Sequence, residues 1–176
     1  MSFGSQRIKV GLDHPNVSMK NIKIKLTSTK ISELGTFFEF QLDEEARYLA
    51  AFTPKKPLCR DAYIEKYTKH LADPNINMKT IWLNDVIVGS LAKFVLGDEA
   101  ELTYWIEKKF WGMGVASSAL KAFLEEEKSR PIFGRVAFDN YGSQKVLEHC
   151  GFRKVGQDKG FANARQAEID ELIYKL

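Results

Sequence analysis

Hydrophobic periodicity along the chain changes twice. From Asn21, NIKIKLTSTK alternates apolar and polar residues and puts Ile22, Ile24 and Leu26 on one face, the pattern of a half-buried strand. The spacing then becomes helical, with Leu34, Phe37, Phe38 and Leu42 recurring behind Ser32, whose hydroxyl suits an N-cap. The acidic cluster Asp43, Glu44 and Glu45 interrupts this run and reads as a solvated bend or as a site that attracts a cationic amine. A second helix is predicted to start after Pro57, to carry Ile64, Tyr67 and Leu71 on one face, and to stop at Asp73-Pro74.

The period then returns to two. INMKTIWLN, VIVGSLAKFVL and AELTYWI, separated by turn residues around Asp85 and at Gly97-Asp98, predict an up-and-down meander of three strands. A turn containing Gly112 and Gly114 follows, then a helical stripe through Val115, Ala116, Ala119, Leu120, Phe123 and Leu124 that ends in EEEKSRP. IFGRVAF reads as a strand. NYGSQKVLEHCG reads as a short helix with Asn140 as N-cap and Gly151 just past its end. FRKVG and EIDELIYKL predict two closing strands joined by the loop DKGFANARQ. An antiparallel meander that turns into a βαβ unit is an α+β, mixed α/β topology, and 176 residues suit one such domain.

Composition narrows the function classes. The net charge of +3, from 26 Lys+Arg against 23 Asp+Glu, is far from the basic stripe that phosphate-backbone binding requires, so nucleic acid is not implied. Cys59 and Cys150 are too few for a disulfide framework, and no CxxC, HExxH or Cys/His cluster suggests a metal. No apolar run is long enough to span a bilayer and the N-terminus lacks a signal-peptide pattern, so no membrane and a cytoplasmic location are expected.

The chemistry concentrates at KKFWGMGVAS, Lys108 to Ser117. Two glycines between a strand and a helix let the backbone approach a ligand without Cβ obstruction, and the N–H groups of the helix's first turn present the positive end of its dipole, which suits a phosphate. A sharp turn with no ligand has the same composition. A dinucleotide fold would carry its glycines after the first strand and a third glycine where Ser117 stands, which weighs against that reading.

The residues from Lys109 to Gly114 resemble the Gln/Arg-x-x-Gly-x-Gly/Ala motif of the GCN5-related N-acetyltransferases (GNAT family), and TYWIEKKFWGMGVASSAL is similar to the ribosomal-protein N-terminal acetyltransferase (RimJ/RimL-like) branch. Lys109 replaces the motif's Gln or Arg. A second motif of the family, Asn-x-x-Ser followed by Val-Leu-Glu and Gly-Phe, is matched by Asn140, Ser143, Val146, Leu147, Glu148, Gly151 and Phe152. The resemblance covers residues 21–176 as a single acetyltransferase domain and leaves residues 1–20 as an extension of unknown role. It implies a central mixed, largely antiparallel sheet splayed at the cofactor site and flanked by helices.

It also implies acetyl-CoA as cosubstrate. The amides of Gly112, Met113, Gly114, Val115 and Ala116 would hold the pyrophosphate, pantetheine would pair with the splayed edge at Trp105 and Ile106, and Asn140 and Ser143 would line the other side. A backbone N–H near Ile106 would stabilise the oxyanion. Glu101 is placed to act as a water-bridged base, or is simply a solvated strand side chain. Many family members carry a Tyr at the position of Leu147 to serve the leaving thiolate; Ser143 is the substitute the branch suggests, with Tyr141 and Tyr104 as alternatives. Asn140 reads as ligand, N-cap or both. Trp105 and Trp111 border the acyl or adenine region or pack in the core, and Lys108, Lys109 and Lys145 meet CoA phosphates or are solvated. The implied reaction is direct attack by a primary amine, a protein N-terminus or a small molecule, in a ternary complex formed by a monomer or homodimer. A non-catalytic acyl-CoA-binding module on the same fold is the rival, motivated by Leu147.

Overall fold

The structure is a computed structural model and describes residues 23–54 and 59–176. The expected N-terminal extension, the first positions of the expected strand at Asn21 and Ile22, and Pro57, after which the second helix is expected to start, lie outside the described residues.

Strand β1 (Ile24–Ser28) is followed by a short 3-10 turn over Ile31–Glu33 and by helix α1 (Leu34–Phe40). Ser32 does not cap it. The Glu33 carboxylate instead accepts from the Lys30 amide at 2.9 Å and from the Thr80 hydroxyl at 2.6 Å, closing the turn from inside the core. Leu34 and Phe37 are buried, but α1 ends before Leu42, which is exposed.

The acidic cluster is a helix start. The Asp43 side chain accepts from the Ala46 amide at 2.8 Å, and Glu44 and Glu45 occupy the first turn of α2 (Glu44–Ala50), where the helix dipole favours negative charge. The segment expected to hold two helices therefore holds three, with α3 over Arg60–Ala72 ending at Asp73 as the Asp-Pro stop predicts.

The meander is present as β2 (Asn77–Leu83), β3 (Val86–Leu96) and β4 (Glu99–Ile106), all antiparallel neighbours. Helix α4 (Val115–Glu126) leads to β5 (Ile132–Ala137), and α5 (Tyr141–His149) to β6 (Arg153–Ala162) and β7 (Ala167–Lys175). Most of the expected loop DKGFANARQ is strand: β6 continues to Ala162 and only Asn163–Gln166 turns. The glycines and charges of β6 mask its alternation, because its side chains are largely exposed and its order comes from register with β7.

The sheet order is β1-β2-β3-β4-β5-β7-β6, with β4 and β5 as the parallel pair. Helix α4 buries Val115, Ala119 and Phe123 against Ile81, Val88, Leu91 and Ile106, and α5 buries Leu147 against Ile132, Val136, Leu172 and Tyr174 on the same face. On the opposite face α1 and α3 cover the meander through Leu34, Phe37 and Tyr63 against Met78 and Ala92. Among the described residues the fold is three layers, helix, sheet and helix, with the one parallel joint of the sheet at its centre.

Candidate active site

That joint is short. β4 and β5 pair only at Ala100–Ile132, Glu101–Phe133 and Leu102–Gly134; beyond these β4 runs on to Ile106 and β5 to Ala137 without meeting. The Glu107 amide bonds across to the Val88 carbonyl of the β3 side at 2.9 Å. Two-residue alternation therefore turns the backbone groups of Tyr104 and Ile106 away from β3 and toward the gap. Gly89 makes the close approach of β3 possible at this point, since a Cβ on it would sit 2.2 Å from the Trp105 carbonyl oxygen.

The glycine turn closes one end of the gap. Gly112 and Gly114 have φ of 74° and 76°, left-handed values that favour glycine, and a Cβ at either would meet nothing within 4 Å, so the backbone is open to a ligand. Gly114 precedes α4 with no side-chain cap, and the first helical bond runs from the Ser118 amide to the Gly114 carbonyl at 3.0 Å. The amides of Val115, Ala116 and Ser117 consequently have no helix partner. Val115 is buried and Met113 packs beside it, which anchors the turn. The Trp111 indole is partly exposed and donates to the Ile106 carbonyl at 2.8 Å, tying the turn to the end of β4. Trp105 is half-buried with its indole nitrogen enclosed and unpartnered.

Helix α5 supplies the other wall. The Asn140 side chain accepts from the Ser143 amide at 3.1 Å as an N-cap and donates through Nδ2 to the Leu49 carbonyl of α2 at 3.1 Å. Its polar atoms thus link two helices. Ser143 is half-buried, with Oγ 2.7 Å from the Tyr104 hydroxyl. Lys145 is exposed and has no ion pair among the described residues, whereas Lys109 is held by Glu107 at 2.7 Å. Leu147 is 2 % exposed and packs on Gly134, so the position faces the core.

Glu101 is not solvated. It is 4 % exposed, and Arg135 Nε donates to its Oε1 at 2.8 Å, which raises the guanidinium's already high pKa; Glu171, pushed up by burial, stands 3.7 Å from the same guanidinium. The sequence signal for this partner is a lone arginine within the apolar strand IFGRVAF.

The least expected component is α2. Lys108, just after β4, reaches Glu45 at 2.6 Å and Asp43 at 3.6 Å at the start of α2. Its far end is held by Asn140 and by the β6–β7 turn. There Arg165 donates to the Tyr48 carbonyl at 2.9 Å and lies over the Tyr48 ring, Asn163 donates to the Thr53 carbonyl at 3.0 Å, and the Ala164 amide donates to the Ala51 carbonyl at 3.1 Å. Arg165, 6 % exposed, also forms a bidentate pair with Asp139 just after β5, which holds that carboxyl below its usual range. Helix α2 therefore straps the end of β4 to the end of β5 across the open end of the splay.

Strand backbone at Tyr104 and the Ile106 amide face the gap, and the amides of Val115, Ala116 and Ser117 stand without helix partners at the turn, an arrangement that suits an extended, amide-bearing arm in the one and a diphosphate at the other. Comparison with known proteins points the same way. A family model for the acetyltransferase (GNAT) domain matches residues 23–153. Mycobacterium smegmatis RimJ in complex with CoA-disulfide superposes with a TM-score of 0.72 at 20% identity, covering 87% of this chain and 81% of that one. RimL, a ribosomal alpha-N-protein acetyltransferase in complex with coenzyme A, gives 0.75 at 16% identity over 89% and 94%. Spermidine N-acetyltransferase from Vibrio cholerae in complex with CoA and spermine gives 0.73 at 19% identity over 88% and 96%. No curated protein matches the sequence.

Proposed function

Because the chain belongs to the GNAT acetyltransferase family, we propose that it transfers an acetyl group from acetyl-CoA to a primary amine by direct attack within a ternary complex. The observation that supports this best is the splay itself: the backbone of Tyr104 and Ile106 faces a gap that ends at the uncapped N-terminus of α4.

Acetyl-CoA supplies an activated thioester carbonyl, and the chain's residues hold and polarise it. The amides from Gly112 to Ala116 hold the pyrophosphate, and Lys145, exposed on the α5 wall, meets the CoA phosphates. The Ile106 N–H, fixed because Trp111 grips its carbonyl, donates to the developing oxyanion. Glu101, buried and paired with Arg135, takes the amine's proton across a single bridging water on the carboxylate oxygen that Arg135 does not bond. An α-amine with a pKa of about 8 makes this a lighter task than a lysine-like amine near 10. Ser143 serves the leaving thiolate. The acceptor, a protein N-terminus as for RimL or a polyamine as for the Vibrio cholerae enzyme, approaches from the side of α1, α2 and the β6–β7 turn.

Calorimetric titration with acetyl-CoA, followed by a free-thiol assay against N-terminal peptides and polyamines, tests the reading. Binding with amine-dependent thiol release supports it, and no binding overturns it. The rival acyl-CoA-binding module is favoured by one observation, the burial of Leu147 at the position where many family members carry a Tyr, and predicts binding without release on any amine. Among the described residues no helix is long and apolar enough to cross a membrane; a cytoplasmic monomer or homodimer belongs to the same proposal.

A further inference from the structure

Tyr104 lies on β4 between Leu102 and Ile106, and its ring packs against both the α4 and α5 clusters. Its hydroxyl crosses beyond the last β4–β5 pair to α5, where it stands 2.7 Å from Ser143 Oγ and 3.2 Å from the Ser143 carbonyl oxygen. Either hydroxyl can donate across the 2.7 Å contact; a phenol has one proton, and of its two acceptors on Ser143 the closer is Oγ. When Tyr104 donates to Oγ, the serine's own proton is free to point into the gap. The Ser143 backbone is fixed at this place, because its amide is held by Asn140, which is in turn held by α2. Burial keeps the phenol protonated well above the usual tyrosine range, so it remains a donor throughout the working pH range; its titratable neighbour, Cys150 on α5, is itself pushed up by burial.

We infer that Tyr104 is a positioning residue that aims the Ser143 hydroxyl at the sulfur of a CoA bound in the gap. The inference rests on the acetyl-CoA reading above. In the transfer the C–N bond forms, the C–S bond breaks, and its electron pair stays on sulfur, where the Ser143 hydrogen bond stabilises it. The proton lost by the amine ends on that sulfur or in solvent, and Ser143 and Tyr104 finish as they began. This assignment also explains how the site manages with Leu147 turned into the core.

The test needs no acceptor. CoA and desulfo-CoA, which lacks the thiol, are titrated calorimetrically across neutral to alkaline pH into the parent, Tyr104→Phe and Ser143→Ala proteins. A thiolate that accepts a hydrogen bond from Ser143 has a lower pKa bound than free, so CoA affinity rises with pH through that window. A shift of one unit gives about a tenfold rise. Desulfo-CoA carries the same phosphates and shows no such rise. Tyr104→Phe is expected to keep the desulfo-CoA affinity and lose most of the CoA rise, as does Ser143→Ala, whereas a merely structural role for Tyr104 would weaken both ligands equally. A parent-like rise in Tyr104→Phe, or identical pH profiles for the two ligands in the parent, overturns the inference and leaves the transferase reading standing. Failure of both ligands to bind the parent overturns that reading as well.

Discussion

Replacing Gly114 by Asn and, separately, by Asp isolates the electrostatics of the turn. Gly114 has φ 76° and ψ 5°, and a Cβ there meets nothing within 4 Å, so neither side chain is excluded by contact. Left-handed backbone costs an ordinary residue about 1–2 kcal/mol and Asn or Asp less, and the two near-isosteres share that cost. They differ by one charge. At the N-terminus of α4 a carboxylate stabilises the fold by about 0.5 kcal/mol, so the Asp protein should melt no lower than the Asn protein. Toward a diphosphate held by the same amides the sign reverses. One charge pair at about 5 Å repels by roughly 1 kcal/mol in bulk water and about 3 kcal/mol at the dielectric of a protein surface. A diphosphate presents two such charges, about 2 kcal/mol at the first limit and about 6 at the second; at an exposed turn nearer the first, about 3 kcal/mol, or roughly 150-fold in CoA affinity, should separate Asp from Asn. Calorimetry at low salt measures the gap, and 1 M salt, with a screening length of about 3 Å, should shrink it to a few-fold. Equal CoA affinities for the two variants at low salt would refute the placement of phosphate at this turn.

Gly89→Ala puts a Cβ 2.2 Å from the Trp105 carbonyl and 3.2 Å from Ile106 Cα, backbone atoms that cannot rotate aside; a loss of about 3 kcal/mol by urea denaturation, with weakened CoA binding, is expected. Arg165→Lys keeps the charge but loses the bidentate pair with Asp139 and the reach to the Tyr48 carbonyl, and should cost about 2 kcal/mol and speed amide exchange at the end of α2. Burial pushes the Glu127 carboxyl up, but bonds from the Ser129 hydroxyl and amide and from Asn77 outweigh it and hold it at about 2. A depressed folded pKa stabilises above the unfolded value of 4.5 and is lost as pH falls toward 2. Glu127→Gln should therefore cost about 1 kcal/mol at neutral pH, discounted for partial exposure, and nothing near pH 2; a constant difference across acid denaturation would refute the assignment.

What the sequence determined by itself is local. Alternation in NMKTIWL, VIVGSLAKFVL and AELTYWI follows from half-buried strands, and the stripe from Val115 to Leu124 follows from one buried helix face, so these elements and the glycine turn were legible before any fold was known. The acidic cluster at Asp43 reads as a bend, but α2 is a two-turn helix whose partners come from distant segments at Lys108, Asn140 and Arg165, and nothing local distinguishes it from a bend. β6 was hidden for a related reason: an exposed edge strand has little apolar periodicity, and pairing with β7 orders it. The candidate site divides in the same way. Gly112 and Gly114 announced themselves because backbone conformation is a property of the residue. The Glu101–Arg135 pair, 34 positions apart, and the Tyr104–Ser143 contact, 39 apart, exist only because β4 and β5 meet over three residues and then part. Where two strands separate is decided by what packs on either side of them, and the tertiary structure alone states that.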